Sequence, residues 1–515
     1  MQGMEITRRT SLGLLLAAGS VAALAETQEG TLTAGVYAGL SAIDPHFNAS
    51  YPARTLIMGV FEQLFTIDDN GTPIPMLAER YDVSSDGLTY TIALRRGVMF
   101  HNGRAMTAAD VRTSMERFAR LSPERVIMDP VAAMETPDDG TFVIRLRAPY
   151  PLLIDRIAAP TSPASIIPAE EAAKDLNKAA PIGTGPFRIG EWIPNDHMTL
   201  LRFEQYTPNT QSPDPTGFGG RKKAMLDRVV IRIMPEASAR VAALEAGQLQ
   251  VVEDVPPATA KRLQASGKVQ LQSILTFQMP VLFLNFAAPP TDRLPVRQAI
   301  QAAIDVSDIM PAAADNGAFQ LNPSLLYPGN ALYSDAGKEL YGQADPAKAR
   351  VLLKQGGYNG EPLLFNVGTL GFMSRMGLVI AEQLRDAGMN VKVQTMDLPT
   401  LLASNNTDAG WNMITSGLGS QPFLGAYSYQ RLTQGPYNVS RAKSDADMDR
   451  LWSSFNAATN TAARKAIFED IQRRIFDQVY FLKFGDIGMI DAVAADVQGF
   501  HAWNGAARFW NVSRS

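Results

Sequence analysis

The sequence predicts an α/β protein built from more than one lobe, and three observations carry that reading. Strand-like and helix-like segments alternate through the second half of the chain. Between residues 76 and 160 the pattern is richer in strands. The 515 residues exceed what one ordinary core organises, so two or three lobes are expected. No internal repeat or biased linker separates them, which points to lobes discontinuous in sequence.

Taken in order, Thr31 to Val36 reads as a first strand, followed by a turn over Ala42 to His46. Tyr81 to Phe100 reads as a hairpin. Tyr81 and Val83 precede the turn residues Ser84 to Gly87, and Leu88, Tyr90, Ile92 and Leu94 then alternate with polar or small neighbours. Thr107 is a natural N-cap for a helix over Ala108 to Ala119. Thr141 to Leu146 and Leu226 to Ile233 alternate as strands. Ala237 to Ala246 is an amphipathic helix stopped by Gly247. Val281 to Phe286 is an apolar run suited to a strand buried on both faces.

Further on, Val296 to Ile304 has helical spacing, and Asp345-Pro346 supplies the N-cap and first residue of a helix that ends at Gly356-Gly357. Leu364 to Val367, Leu378 to Ala387 and Val391 to Gln394 form a β-α-β unit. Ala462 to Gln478 is a long helix.

Composition excludes several chemistries. The chain has no cysteine, so disulfide frameworks, thiolate metal sites and a cysteine nucleophile are ruled out. Its four histidines, His46, His101, His197 and His501, never fall within ligand spacing of one another. A formal charge of −4 leaves no basic footprint for nucleic acid. Phosphate-loop, zinc-helix, EF-hand and nucleophile-elbow motifs are absent, so no catalytic residue, metal or cofactor is expected. Gly183-Thr184-Gly185-Pro186 reads as a structural turn, because the proline removes an amide that a phosphate cradle needs. Glu253-Asp254 does not read as an acid pair, since strand neighbours point to opposite faces.

The N-terminus reads as an export signal. Arg8 and Arg9 precede an apolar segment from Leu12 to Ala25, and Ala23-Leu24-Ala25 fits a cleavage site before Glu26. Those residues are too few to span a bilayer, which needs roughly 20. The paired arginines resemble a twin-arginine signal, although Ser11 stands where a bulky apolar residue is favoured. The expectation is a soluble, exported protein.

A long ordered series of motifs then carries a resemblance. It begins with Leu77-Ala78-Glu79-Arg80-Tyr81, Ser85-Asp86-Gly87-Leu88-Thr89-Tyr90, Leu94 to Gly103 and Thr107-Ala108-Ala109-Asp110-Val111. It continues with Gly183 to Phe187, Ala243 to Gly247, Leu284-Asn285-Phe286, Val296 to Ile300, Ala303-Ile304-Asp305, Asp345-Pro346, and Gln383-Leu384 with Gly388. With these, the chain resembles family 5 of the extracellular solute-binding proteins, the peptide, nickel and opine receptors of ABC importers. The resemblance implies a periplasmic-binding-protein-like fold, with two α/β lobes around a ligand cleft plus an extra strand-rich lobe. Lobe I would comprise residues 26–75, 183–275 and 488–515; lobe II, 76–182; lobe III, 276–487. It further implies a periplasmic monomer that hands a small ligand to inner-membrane permease subunits.

The resemblance also directs attention to the tract after Trp411-Asn412-Met413. Peptide-binding relatives carry an acid there that pairs with the peptide's α-ammonium. Here Thr415 to Phe423 holds none, and the nearest upstream acid is Asp408. A buried ammonium without a counter-charge is costly. Recognition of a peptide's free N-terminus is therefore not expected, and the tract should select against simple peptides. Ser416, Gly419, Ser420 and Gln421 are candidates for binding neutral or hydroxylated groups, with Phe423, Tyr427 and Tyr429 as stacking surface. The alternative for the two tyrosines is a place in the lobe III core. Arg375, read as lying in a polar break before Leu378, is the candidate for an anionic ligand group, against a plain surface role. Two other functions stay open: a metal-chelate or haem receptor, disfavoured by few histidines and scattered methionines, and an exported hydrolase, disfavoured by the missing nucleophile motifs.

Overall fold

A computed structural model describes residues 30–515 except 41, 48–50, 161–162, 213, 316, 420–424, 435–437, 443 and 504–505. The export signal, Ser420, Gln421 and Phe423 lie outside the described residues. Strand β1 (Thr31–Val36) opens the described chain. Four strands then form a separate antiparallel sheet: β2 (Ala78–Val83), β3 (Thr89–Leu94), β4 (Val131–Asp138) and β5 (Thr141–Leu146), ordered β2-β3-β5-β4. The β2–β3 turn forms where read. Asp86 accepts from the Leu88 amide at 3.0 Å, and Gly87 takes φ 71°, which a side chain would resist.

Helix α1 (Ala108–Leu121) covers this sheet because Val111, Ser114, Met115 and Phe118 fall on one buried face. Thr107 caps it through a capping box with Asp110. A short helix α2 (Leu153–Ala158) follows. The hairpin β6 (Phe187–Ile193) and β7 (His197–Arg202) was not legible, because Gly190-Glu191 at a register shift in β6 breaks the apolar alternation. Strand β8 (Arg228–Ile233) leads to helix α3 (Ala237–Glu245), stopped near Gly247 at φ 72°.

The elements after it that position the site include β9 (Val251–Val252), β10 (Val269–Leu284), α4 (Leu294–Ala303), α5 (Val306–Ala313) and α6 (Pro346–Gln355). They continue with β11 (Leu363–Gly368), α7 (Gly371–Asp386), β12 (Val391–Met396) and β13 (Met413–Leu418). Helix α8 (Thr461–Gln478), β14 (Phe481–Lys483) and β15 (Asp486–Ala494) come later in the chain. Asp345 caps α6 by accepting from the Lys348 amide, as its sequence position requires.

Two expectations need correction. The strand read over Val281 to Phe286 is the last part of β10, which starts at Val269 and stops at Leu284. Gln270, Gln272 and Gln278 break the apolar run, so its first part was invisible to a hydrophobicity pattern. Helix α7 begins at Gly371 rather than Leu378. Its first turns contain Gly371, Ser374 and Gly377, all weaker helix formers than alanine. Tertiary packing overrides them: Met373 and Met376 are buried, and a Cβ at Gly377 would come within 2.6 Å of Val367. Only glycine lets this helix lie so close to β11.

One long sheet runs β12-β11-β13-β10-β15-β9-β1-β8-β7-β6. Two large clusters make up most of the apolar core, beside a small third one around Val241, Leu244 and Val252. One cluster joins the β1 end with the four-stranded sheet through residues such as Leu32, Ile231, Ile92 and Phe118. The other surrounds the β11 end through Val281, Phe365, Trp411 and Trp452. Strands β10 and β15 pass between the two clusters.

Candidate functional site

Strand direction locates the site. At one end of the sheet β1 runs parallel to β8 and β9, and β9 pairs antiparallel with β15 through Val252↔Ala492. At the other end β11 runs parallel to β12 and β13, and β13 pairs antiparallel with β10 through Leu418↔Met279. Along β10, Ser273 opposes Ile490 and Gln278 opposes Ile487, with a bulge between Ile274 and Gln278. The carboxyl ends of both parallel sets therefore converge from opposite directions on the middle of β10. Open α/β sheets bind ligands beyond the carboxyl ends of their strands. Here two such edges share one recess.

The β1 side of the recess is built on carbonyls and carboxylates. Buried Arg240 of α3 donates to the carbonyls of Met234, Pro235, Glu253 and Asp254 at 2.6–3.1 Å, which ties down the strand ends after β8 and β9. Glu253 and Asp491 are both buried. Burial and the neighbouring Glu253 charge hold the Asp491 carboxyl well above the usual carboxylate range. Its Oδ1 accepts from the Asp254 amide at 3.1 Å. Asp254 itself is exposed and left-handed, with φ 55°. Glu253 and Asp254 both lie beyond the end of β9, so the strand alternation read for them from the sequence does not apply. Tyr37, just past β1, has its hydroxyl pushed upward by burial and by the charges of Glu253 and Asp254.

The β11 side is built on close approach. The Thr415 hydroxyl accepts from the Gly368 amide at 2.9 Å, which locks β13 to the end of β11. A Cβ on Gly417 would run into the Gln278 amide and lie 2.8 Å from the Phe372 ring. In α7, Arg375 donates from Nε to Ala312 O at 2.7 Å and from Nη2 to Ala313 O at 2.9 Å, closing the end of α5. Together Asp254, Pro256, Gln278, Phe372 and Arg375 line a recess of about 410 Å³, within the range of roughly 300–1,000 Å³ usual for small-molecule sites.

The candidate residues are distributed as follows. Ser416, paired with Val281, and Gly419 lie at the carboxyl edge of β13, and Arg375 stands beside that edge. Arg375 sits inside a helix and not in the polar break read from the sequence. Tyr427 lies elsewhere. The Arg156 guanidinium sits 4.7 Å from its ring centroid, and its buried hydroxyl has no hydrogen-bond partner among the described residues. Tyr429 is fully buried, donates to Leu325 O and stacks on Phe481, which is the core alternative. Asp408 is already paired with Arg441 at 2.8 Å. The sequence reading missed Asp254, Gln278 and Phe372; an acid ahead of Val255-Pro256-Pro257 was the one local signal, a turn residue at a strand end.

No three His, Asp or Glu side chains come together as a metal site among the described residues. No helix there is long and apolar enough to cross a membrane. His101 serves the fold: Nε2 donates to Gly185 O at 3.0 Å and Nδ1 accepts from the Gly183 amide at 3.1 Å. A Cβ on either glycine would strike the carbonyls of Gly59 or Val60, so the Gly183–Gly185 turn is a packing device.

The family model for bacterial extracellular solute-binding proteins, family 5 middle, matches residues 72–439. This chain belongs to that family. Among curated relatives, the probable peptide ABC transporter periplasmic-binding protein y4tO of Sinorhizobium fredii is 28% identical over 395 residues, covering 73% of each chain. The glutathione-binding protein GsiB of Pectobacterium atrosepticum is 26% identical over 526 aligned residues, covering 97% of each. Among solved structures, AgaA of A. tumefaciens R10 in complex with agropinic acid superposes with a TM-score of 0.73 at 26% identity, covering 94% of this chain and 99% of that one. The ABC transporter substrate-binding protein CtaP of Listeria monocytogenes shares the fold with a TM-score of 0.77 at 24% identity, covering 92% and 95%. The α/β fold is that of family 5 binding proteins of ABC importers.

Proposed function

We propose that this chain is a periplasmic receptor that captures a small polar solute, peptide-like, opine-like or a sugar conjugate, and delivers it to inner-membrane ABC permease subunits. The observation that carries the reading is the convergence of two sets of strand carboxyl ends on one recess at the middle of β10. Relatives described as binding peptides, glutathione and agropinic acid support the ligand class. In this reading lobe I comprises residues 26–75, 183–275 and 488–515, lobe II 76–182 and lobe III 276–487. The bulge in β10 between Ile274 and Gln278 falls at the I–III boundary, which suits a hinge. The receptor acts as a monomer, by binding and not by catalysis.

The test is mass spectrometry of ligand retained by native protein, followed by adding that ligand back. It should raise stability by about 2.7 kcal/mol at a hundredfold excess over Kd and shrink the scattering radius. A rise in melting temperature with no compaction would overturn the hinge. Fractionation should recover a periplasmic form starting at Glu26; an uncleaved membrane-held form would overturn the leader.

A further inference from the structure

The recess carries charge of opposite sign on its two walls, and neither charge is spent on the other wall. On the β1 side, Asp254 has both backbone groups committed, the amide to Asp491 and the carbonyl to Arg240. Its carboxylate accepts no hydrogen bond among the described residues, and it is exposed to the recess. The nearest cation, Arg240, is buried and fully engaged with four carbonyls. The left-handed backbone at Asp254, fixed at both ends, holds the side chain in place in advance of any ligand.

On the opposite side, Arg375 uses Nε and Nη2 to close α5, and its Nη1 makes no hydrogen bond among the described residues. It stands in the second turn of α7, whose N-terminal amides add positive potential. The one further charged side chain lining the recess is Asp315, exposed and also left-handed, with φ 53°. The cavity therefore holds two carboxylates and one guanidinium. Such a balance attracts a cation while still offering an anion one partner.

We propose that Asp254 and Arg375 form a two-pole site for a zwitterionic solute, with the ligand's ammonium against Asp254 and its carboxylate against Arg375. The inference rests on the recess being the ligand cleft. It assigns ammonium recognition to the β9 strand end and not to the tract after β13, which has no acid to offer. It also gives the ligand a role in closure, since each pole sits on a different end of the sheet.

The experiment is calorimetry of the mature protein against di- and tripeptides and amino-acid–sugar conjugates, each with free and N-acetylated amines, beside a neutral polyhydroxylated panel. Free-amine members should bind best, and N-acetylation should cost about ten- to a hundredfold in affinity, the loss of one charge-assisted bond. Asp254→Asn should cost the same factor for free amines and nothing for acetylated ones. Asparagine tolerates a left-handed backbone, so this variant keeps the turn, and the acetylated ligands make the same test on unaltered protein. Free-amine ligands that bind Asp254→Asn as tightly as the parent overturn the proposal. A preference for neutral ligands overturns it too, while leaving the receptor reading intact. Binding by neither panel overturns both.

Discussion

Arg464 of α8 holds Asp155 of α2, with Nη1 3.2 Å from both carboxylate oxygens. The same guanidinium donates to Pro151 O at 2.9 Å and to Ala458 O at 3.1 Å. The pair thus ties the four-stranded sheet's neighbour α2 to the helices of the β11 end, beside the contact between Arg156 and Tyr427. Burial raises the Asp155 carboxyl, and Arg464 only partly offsets that. Arg464→Ala should lower unfolding free energy by about 1–3 kcal/mol, because it strands a partly buried acid. Asp155→Asn should cost less. Urea melts at several pH values check this. The Arg464→Ala deficit should widen as pH rises above the carboxylate range, and a deficit independent of pH would contradict it.

Gly417 should resist enlargement. Its missing Cβ is the space that Gln278 and Phe372 use. Gly417→Val should cost about 1–3 kcal/mol by overpacking and weaken ligand binding, since both displaced side chains line the recess. Adding Gln278→Ala should recover part of the stability. Unchanged affinity in Gly417→Val would mean that this edge of β13 does not shape the site.

A buried and a half-buried histidine make the fold sensitive to acid. His46 and His101 are each pushed down to about 4 by burial. His46 donates from Nε2 to Ser165 O at 2.7 Å and accepts at Nδ1 from Arg117 at 2.9 Å, so a second proton would face a donor. In the unfolded chain both titrate near 6.5, so there the unfolded state binds more protons. Their contribution is complete above pH 6.5 and is lost as pH falls toward 4, by up to roughly 3 kcal/mol each. His101→Gln should flatten the profile of stability against pH in that window. An unaltered profile would refute the assignment.

Asp491 works with the opposite sign. Its folded carboxyl lies far above its unfolded value, so stability falls as pH rises past the ordinary carboxylate range. Asp491→Asn keeps an acceptor for the Asp254 amide and removes the penalty. It should stabilise the protein at pH 7.5 by about 1 kcal/mol, and the gain should vanish near pH 4. A loss of stability at pH 7.5 would show that the buried acid is needed as a charge.

The sequence by itself determined what depends on near neighbours. Thr107 and Asp345 cap the helices that follow them, and Asp86-Gly87 turns the β2–β3 hairpin, because each motif is closed by hydrogen bonds within a few residues. The ordered series of motifs was enough to point to the family. Only the tertiary structure decided the site. Asp254 and Arg375 are distant in sequence, and they share a recess because β9 and β13 approach β10 from opposite ends in a fixed register. Nothing local encodes that meeting. Glutamines hid the first half of β10, and glycines hid the start of α7, where packing against β11 outweighs helix propensity. A cleft is made by long-range strand pairing, and its charges are read only once the pairing has brought them face to face.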